Sequence, residues 1–300
     1  MKTLVVCGAT ASGKTGFAVG MAGKMGGEVV SADCMLVYRG LNIGTAKPTP
    51  EEMRSIPHHM IDVAEPTQKY SVSDYEKGAE RVLSTLAKRN VPAVICGGTG
   101  FYIQSLLFSR GLGGVPADEN IRREYEKIAE EQGRDVLHAM LGAVDAESAA
   151  VLHPNDVKRV IRALEIYRLT GRKKSQQCDG FEAKRNYIAV AFEYPRATLY
   201  ARIERRVDNM LSEGLVEEVE NLYRRGIDET FQCMQGIGYK EVLEYLQNRI
   251  SYSTMSDMIK QNTRRYAKRQ ITFFKKLPNL LWLDPEESNI EKIERLLDEY

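Results

Sequence analysis

The chain has 300 residues, 43% of them hydrophobic, and a formal net charge of +1, so its overall charge excludes neither acidic nor basic partners. This length suits one large domain or a core with an inserted subdomain. No apolar run approaches the ~20 residues of a membrane span, and a strand-like run begins so early that we expect no signal peptide. The five cysteines include no C-x-x-C pair, so we predict neither disulfides nor a zinc site and expect a reducing cytoplasm.

The first predicted element is a buried strand at residues 4–7, which a glycine-rich loop joins to an apolar helix. The loop has the pattern G-x-x-x-x-G-K-T and consists of Gly8, Ala9, Thr10, Ala11, Ser12, Gly13, Lys14 and Thr15. This pattern between a strand and a helix predicts a phosphate-binding loop, because its glycines let successive N–H groups converge on an anion. Lys14 would contact the outer phosphate oxygens, and the Thr15 hydroxyl would bind Mg²⁺.

Strands and helices then alternate along the chain. We predict strands at 28–33, within 57–63, at 93–96 and at 187–192, and helices at 73–88, from about 101 and at 156–170. This alternation predicts an α/β fold with a doubly wound parallel sheet. Because ligands bind outside the carboxyl ends of parallel strands, Asp33 at the end of the second strand should lie close to the phosphate loop.

One segment contains helices alone. Residues 116–153 carry Ile121, Tyr125 and Ile128 on one helical face, and we interpret them as an all-helical insertion. The P-loop core would then comprise 1–115 and 154–300, with a helical C-terminal part after 192 that ends in a closing helix.

Two strand ends carry candidate catalytic groups. Asp33 can be read as a Mg²⁺ partner, as a general base or as a strand-end cap, and the sequence does not separate these readings. Thr99 stands where an NTPase more often has an acid, which argues against a hydrolytic motor; otherwise its loop, 97–100, merely turns the chain.

Basic residues form two groups. Arg202, Arg205 and Arg206 share a predicted helix and would hold phosphate, or else form a salt-bridged face. The stretch 260–276 has seven Lys or Arg residues, interleaved aromatic residues and no acid, a pattern that favours nucleic-acid binding over a mixed solvated face.

Histidine and cysteine give no further site. The four histidines have no metal-binding spacing. Cys34 follows Asp33, whose charge keeps a thiol protonated, so we do not expect a nucleophile there.

These features together resemble the tRNA dimethylallyltransferases, also called tRNA isopentenyltransferases. Besides the phosphate loop, the resemblance rests on Ser31-Ala32-Asp33, Tyr38-Arg39-Gly40, 43–48 (Ile-Gly-Thr-Ala-Lys-Pro), Pro57-His58-His59 and 97–100 (Gly-Gly-Thr-Gly). It continues through 153–156 (His-Pro-Asn-Asp), Arg159, 162–165 (Arg-Ala-Leu-Glu), 237–241 (Ile-Gly-Tyr-Lys-Glu) and 267–270 (Ala-Lys-Arg-Gln).

The resemblance implies transfer of a dimethylallyl group from its diphosphate to N6 of the adenine 3′ to the tRNA anticodon. It implies that the P-loop holds the diphosphate with Mg²⁺, that Thr10 and Arg206 assist at that site, and that Asp33 orients the amine and takes its proton. It also implies tRNA contacts from Asp33, Cys34, Met35, Leu36, Thr99, Arg122, Lys158, Arg159, Arg162, Gly238, Tyr239, Lys240, Arg264, Lys268 and Arg269.

Four positions depart from the family's commonest pattern. Ala9 replaces Pro, Cys34 replaces Ser, Leu36 replaces Gln and Phe273 replaces Trp. None of these positions is Lys14, Thr15, Asp33 or Arg206, so they bear on details of tRNA contact and not on the reaction.

Three alternatives remain at this point. A P-loop nucleoside or nucleotide kinase would use the same loop for ATP, but a small substrate does not need the basic 260–276 stretch. A prenyltransferase acting on free AMP or ADP would not need the helical insertion. A nucleotide-regulated RNA-binding module would tolerate loss of Asp33. We expect a monomeric cytoplasmic enzyme whose partners are a tRNA anticodon stem-loop and dimethylallyl diphosphate, without membrane association.

Overall fold

Six parallel strands form one sheet in the computed structural model, which describes residues 3–109, 115–177, 182–285 and 289–299. The strands are β1 (Thr3–Cys7), β2 (Glu28–Ser31), β3 (His58–His59), β4 (Ala93–Gly97), β5 (Ile188–Phe192) and β6 (Leu280–Leu283). Their order across the sheet is β3-β2-β4-β1-β5-β6, and every neighbouring pair is parallel. The predicted α/β class with a parallel sheet is therefore confirmed.

Helices connect these strands and cover the sheet. They are α1 (Lys14–Met25), α2 (Pro50–Met53), α3 (Val72–Lys88), α4 (Gly100–Leu107), α5 (Glu119–Glu131), α6 (Arg134–Val144), α7 (Ala146–Val151), α8 (Val157–Thr170), α9 (Arg196–Ser212), α10 (Leu215–Arg224), α11 (Tyr239–Leu246), α12 (Tyr252–Phe274) and α13 (Asn289–Glu299). Local sequence explains several boundaries: Ser71 and Asp74 form a capping box at the start of α3, and the Ser251 hydroxyl caps α12. No helix within the described ranges is long and apolar enough to cross a bilayer.

The central strands are buried on both faces, as parallel strands between two helical layers must be. Along β1, Leu4 and Val6 pack in one apolar cluster with residues of α1 and α13, whereas Val5 and Cys7 pack in another with α3, α4, α10, α11 and α12. Alternate side chains of β1 thus anchor the two layers. At the carboxyl edge of the sheet, β1 leads into the phosphate loop, β2 leads to Asp33 and β4 leads to Thr99.

Strand β6 was not predicted, because we expected only helices after residue 192. Its four residues, Leu-Leu-Trp-Leu, do not alternate, and only Leu283 is buried. The strand is defined by its pairing with β5, where Ala189 lies beside Leu280 and Phe192 beside Leu283. Such pairing depends on residues about 90 positions away and leaves no local pattern in the sequence.

The chain divides into two compact units, one comprising Met1–Phe108 with Ala183–Tyr300 and the other Ser109–Glu182. The second unit extends beyond the expected 116–153 insertion at both ends. It includes α8, which the sequence analysis assigned to the P-loop core. Helix α8 belongs to it because Val160, Ile161 and Leu164 share a core with Ile121 and Leu137.

Candidate active site

The phosphate loop has the conformation that its glycines predict. Gly8 and Gly13 have φ of 125° and 82°, and Ala11 has φ of 61°, all in the left-handed region that L side chains rarely adopt. Lys14 starts α1, and its Nζ donates to the Ala9 carbonyl oxygen at 3.1 Å. Burial lowers the pKa of the Lys14 ammonium, an effect opposed by nearby Asp33. The predicted strand, loop and helix are therefore present at this end of the sheet.

Helices α9 and α12 hold the loop from outside. Ala9 and Ala11 pack with Leu199, Ile203 and Ala267 in a small apolar cluster. The Arg202 Nε donates to the Ala11 carbonyl at 2.7 Å, and its guanidinium lies over the Tyr194 ring. These contacts support Ala11 in its unusual backbone conformation.

A cavity of about 420 Å³ opens beside the phosphate loop. Its polar lining includes Thr10, Lys14, Thr15, Ser31, Asp33, Arg206, Arg269 and Gln270, and its apolar lining includes Ala18, Val29, Ile61, Val207, Met210, Ile237 and Ile259. One space thus combines an anion-binding loop with a carboxylate, two guanidinium groups and an apolar wall.

Asp33 enters this cavity from a constrained turn. Its Oδ1 accepts from the Met35 N–H at 2.9 Å, the Cys34 N–H donates to Thr99 Oγ1 at 2.9 Å, and the Thr99 N–H donates to the Ala32 carbonyl at 3.1 Å. One carboxylate oxygen of Asp33 therefore caps the turn, as one interpretation of the sequence suggested. For Oδ2 the described residues provide no hydrogen bond, so this oxygen can face a substrate.

Arg206 approaches the same space from α9, one turn beyond Arg202. Burial lowers the pKa of its guanidinium, and the Asp33 carboxylate opposes that change. The parts of the chain that the structure describes offer Arg206 no hydrogen bond or ion pair, although the residue is half-buried. An arginine held so in a cavity is available to an anionic ligand.

The donor set around Thr15 fits a Mg²⁺ ion bound together with diphosphate. Thr15 lies exposed at the start of α1, and the Ser31 hydroxyl, which lines the same cavity, is buried without a hydrogen-bond partner. No group of three or more His, Cys, Asp or Glu side chains could hold a metal among the described residues. Mg²⁺ commonly uses one or two side chains, phosphate oxygens and water, so this sparse set suits it.

The cavity thiols are held in their protonated form. Burial, reinforced by the Asp33 charge, raises the pKa of Cys34 to about 11. Burial likewise raises the pKa of Cys96 to about 11. The reading that Cys34 is not a nucleophile agrees with this direction.

Glu218 organises a wall of the cavity that sequence reasoning missed. Its carboxylate accepts from the N–H groups of Asn42, Ile43 and Gly44 and from the Tyr239 hydroxyl, at 2.6–3.1 Å. A Cβ on Gly44 would lie 2.6 Å from the Tyr239 ring, so only glycine fits there. The runs around Gly44 and Tyr239 were noted in the sequence, but nothing in the sequence paired them with Glu218 on α10.

The residues proposed to contact RNA in this unit fall into two groups. Cys34, Met35, Leu36, Gly238, Tyr239 and Arg269 line the cavity. Lys240 and Lys268 lie outside it: Lys268 is exposed, whereas Lys240 is half-buried and pairs with Glu241 at 3.6 Å. Arg264 is paired with Glu204 at 2.7 Å. Thr99 lies behind the Asp33 turn and accepts the Cys34 N–H.

The four proposed RNA contacts in the other unit also differ in setting. Arg122 and Arg162 bind the fully buried carboxylate of Glu165, Arg122 through Nε and Nη2 at 2.9 and 3.0 Å and Arg162 through Nη1 at 2.5 Å. Lys158 and Arg159 are exposed, and Arg159 forms an ion pair with Asp156 at 3.2 Å. The first two therefore have a buried structural partner, whereas the latter two lie on the surface, where a ligand can reach them.

The match to a family model decides the classification. Residues 36–277 match the model described as IPP transferase, which covers most of the chain. The chain belongs to the IPP transferase family. Among curated relatives of this family, the tRNA dimethylallyltransferase of Geobacillus thermodenitrificans is 43% identical over 94% of this chain and 90% of its own length. That of Pelotomaculum thermopropionicum is 44% identical over the same fractions.

Solved structures of the family agree in fold. The full-length tRNA isopentenylpyrophosphate transferase of Bacillus halodurans aligns with a TM-score of 0.75 at 40% identity, covering 99% of this chain and 97% of that one. A eukaryotic dimethylallyltransferase described as acting on tRNA aligns with a TM-score of 0.81 at 28% identity, covering 96% and 75%. The resemblance found in the sequence is thus confirmed as family membership among prenyl-transferring enzymes.

Proposed function

We propose that this protein is a tRNA dimethylallyltransferase, which transfers the dimethylallyl group of dimethylallyl diphosphate to N6 of the adenine 3′ to the anticodon and releases pyrophosphate. The observation that carries this proposal is the shared cavity: the phosphate loop, Asp33 and Arg206 meet in one space with an apolar wall. A diphosphate, a short prenyl chain and a base amine require that combination.

The phosphate loop and its cations bind the donor's diphosphate. Loop N–H groups and the N-terminus of α1 attract the anion, and Lys14 and Arg206 carry the positive charges. As the bond between the prenyl C1 and the diphosphate oxygen breaks, negative charge grows on the leaving group, and these cations stabilise it most at that stage. Thr10 lines the cavity and can donate its hydroxyl to the same oxygens.

A divalent cation is proposed at Thr15. Mg²⁺ would neutralise part of the diphosphate charge when bound. The Thr15 hydroxyl and the unpartnered Ser31 hydroxyl supply oxygen atoms toward it, directly or through water.

Asp33 acts on the acceptor. Its Oδ1 is fixed by the Met35 N–H, so the other oxygen is aimed rather than free to rotate. This oxygen would accept a hydrogen bond from the adenine N6 amine, orient its attack on C1 and take the proton as the new N–C bond forms. The base has to leave its stack to enter the cavity, as in other enzymes that modify a base.

The RNA is proposed to bind on exposed cations and on the cavity-lining residues Cys34, Met35 and Leu36. Lys268 and Arg269 on α12 are exposed cations, and Lys158 and Arg159 offer further positive charge in the helical unit. Arg122, Arg162 and Arg264 are engaged by carboxylates, so we now propose that they position the surrounding helices rather than bind RNA directly.

A prenyl-transfer assay tests the function. Purified protein would be incubated with Mg²⁺, dimethylallyl diphosphate and an anticodon stem-loop RNA, with ATP plus nucleosides in parallel. We expect the RNA to gain the mass of one dimethylallyl group, and an RNA with guanine at the modified position to gain none. Phosphate transfer from ATP without prenylated RNA would instead identify a kinase. Prenylated AMP or ADP would show that the acceptor is a free nucleotide.

Replacing Asp33 by Asn tests the mechanism. The amide keeps the side-chain shape and the bond to Met35 but cannot take a proton, so we expect kcat to fall by roughly 10²-fold or more. Binding of RNA and pyrophosphate should change little. Asp257→Asn on the exposed surface of α12 is the matched control and should retain full turnover. Full turnover in Asp33→Asn would exclude a general base at this position.

A further inference from the structure

Gln270 connects three segments that converge at the phosphate site. It lies on α12, is 5% exposed and lines the cavity. Its Oε1 accepts from the Thr10 N–H at 2.8 Å, and its Nε2 donates to the Gly98 carbonyl at 2.9 Å. One amide therefore satisfies a donor of the phosphate loop and an acceptor of the loop that follows β4.

We propose that Gln270 is a positioning residue of the phosphate site: its amide fixes Thr10 against the loop after β4 and so sets the conformation in which the phosphate loop receives diphosphate. This inference deepens the proposed function. It depends on that function only in taking the diphosphate to be part of a prenyl donor. Gln270 itself need not touch substrate.

The hydrogen bonds made by the backbone groups of the phosphate loop support this role. The Thr10 N–H is committed to Gln270, while the Ala9 and Ala11 carbonyls accept from Lys14, Ser12 and Arg202. These bonds occupy the Ala9 and Ala11 carbonyls within the protein. The Thr10 N–H is therefore engaged by the protein itself, while Thr10 lines the cavity.

The fit around the amide is close. A Cβ on Gly98 would lie 2.2 Å from Gln270 Nε2, so the glycine leaves room for the amide to reach the carbonyl. An amide is also the group that the site requires, because it presents one acceptor and one donor at once. A carboxylate would meet the Gly98 carbonyl with a second acceptor, and an alkyl chain would leave both buried groups unpaired.

Two substitutions at Gln270 test the proposal, with the same two changes at exposed Gln261 on α12 as matched controls. Affinity for Mg²⁺–pyrophosphate, affinity for an anticodon stem-loop RNA and the melting temperature would be measured for each variant. We expect Gln270→Leu and Gln270→Glu to weaken pyrophosphate binding by roughly tenfold or more, on the scale of a lost buried hydrogen bond. RNA affinity should stay within about twofold, as expected for a site-specific effect.

A third variant disturbs the hydrogen bonds that the Gln270 amide forms to Thr10 and Gly98, which we call the Thr10–Gln270 bridge, by a change at Gly98. In Gly98→Ala the new methyl group would displace the amide end of Gln270, so pyrophosphate binding should weaken in the same way without loss of the side chain. This variant also gives a result if the Gln270 variants do not fold. In prenyl transfer, KM for the donor should rise in all three variants while KM for RNA holds.

Two outcomes would overturn the proposal. One is pyrophosphate affinity unchanged in folded Gln270→Leu or in Gly98→Ala. The other is a parallel fall in pyrophosphate affinity, RNA affinity and melting temperature, which would mean general destabilisation. Because the binding measurements use pyrophosphate and RNA separately, they remain decisive even if prenyl transfer itself is not observed.

Discussion

Two arginines one turn apart on α9 serve the phosphate site differently. Arg202 binds the Ala11 carbonyl and shapes the loop, whereas Arg206 lines the cavity beside Asp33. The i, i+4 spacing placed both on one helical face in the sequence, but it could not tell which one meets the ligand. The structure separates a residue that supports the loop from one that can bind the anion.

Arg206→Gln tests the second role. Removing a positioned cation from a developing anionic charge should lower kcat by roughly 10²–10³-fold, the scale observed for donors of this kind. The affinity for RNA should be retained. Arg205→Gln, on the exposed face of the same helix, is the matched control and should behave as the unchanged protein does. Equal effects of the two substitutions in steady-state kinetics would contradict a specific role for Arg206.

At the scale of elements, the β2–β3 edge depends on one buried carboxylate. Glu28 starts β2, is 6% exposed and binds His59 of β3 at 2.6 Å and Arg89 at 2.7 Å. Burial alone would raise the pKa of Glu28, but the hydrogen bonds from His59 and Arg89 outweigh it and hold the pKa below its ordinary value of 4.5. Because the folded pKa is the lower one, the ionised form favours folding.

This linkage predicts an acid-sensitive edge. The stabilisation by Glu28 should be complete above pH 4.5, its ordinary pKa, and lost as the pH falls below that value through the folded pKa. Glu28→Gln should therefore be less stable at neutral pH by roughly 1 kcal/mol or more, with the gap closing in acid. Urea unfolding at several pH values measures this, with exposed Glu126→Gln as control. A gap that does not depend on pH would disprove the assignment.

The helical unit depends on a buried carboxylate of its own. Arg122 and Arg162 neutralise Glu165, and hydrogen bonds from both offset the burial that would otherwise raise its pKa. We expect Arg162→Ala to lower the free energy of unfolding by roughly 1.5–3 kcal/mol, the range for bonds to charged groups. Arg159→Ala should cost under about 1 kcal/mol, as exposed ion pairs do, and should weaken RNA binding instead. The reverse pattern in unfolding and RNA-binding measurements would show that Arg162 binds RNA and does not stabilise the helical unit.

The sequence predicted those elements whose signals are local. The β1 strand, the phosphate loop and α1 are contiguous, so their pattern and their structure coincide. Asp33 could be placed at the site because parallel strands end together. Strand β6, the inclusion of α8 in the helical unit, the Glu218 contacts and the Gln270 bridge each depend on partners distant in sequence. A single sequence carries no signal for such pairs beyond the residue types themselves.

At the scale of the whole molecule, a net charge of +1 conceals a strongly uneven distribution. In the C-terminal basic stretch, Lys260 and Arg264 are paired with Asp208 and Glu204. The remaining cations of the stretch are exposed, and they are Arg265, Lys268, Arg269, Lys275 and Lys276. A nearly balanced overall charge therefore coexists with an unbalanced basic surface on and after α12.

Salt dependence measures how many of these charges meet phosphate. RNA affinity should fall steeply with salt, and Lys268→Gln should make the slope of log K against log[salt] shallower by about 1. Lys260→Gln is the matched control, because Asp208 already pairs with that charge, and its slope should match the unchanged protein. A Lys268→Gln slope equal to that of the control would place the RNA away from this face.

The Thr10–Gln270 bridge also bears on how the protein is made. Its two residues are 260 positions apart, so the phosphate loop leaves the ribosome long before the helices that hold it. Contacts of such long range form late, because distant parts of the chain must meet first. During translation the glycine-rich loop therefore precedes its own support, and a chain released early would carry the motif without a finished donor site. Competence to react is therefore acquired only after Gln270 has been synthesised.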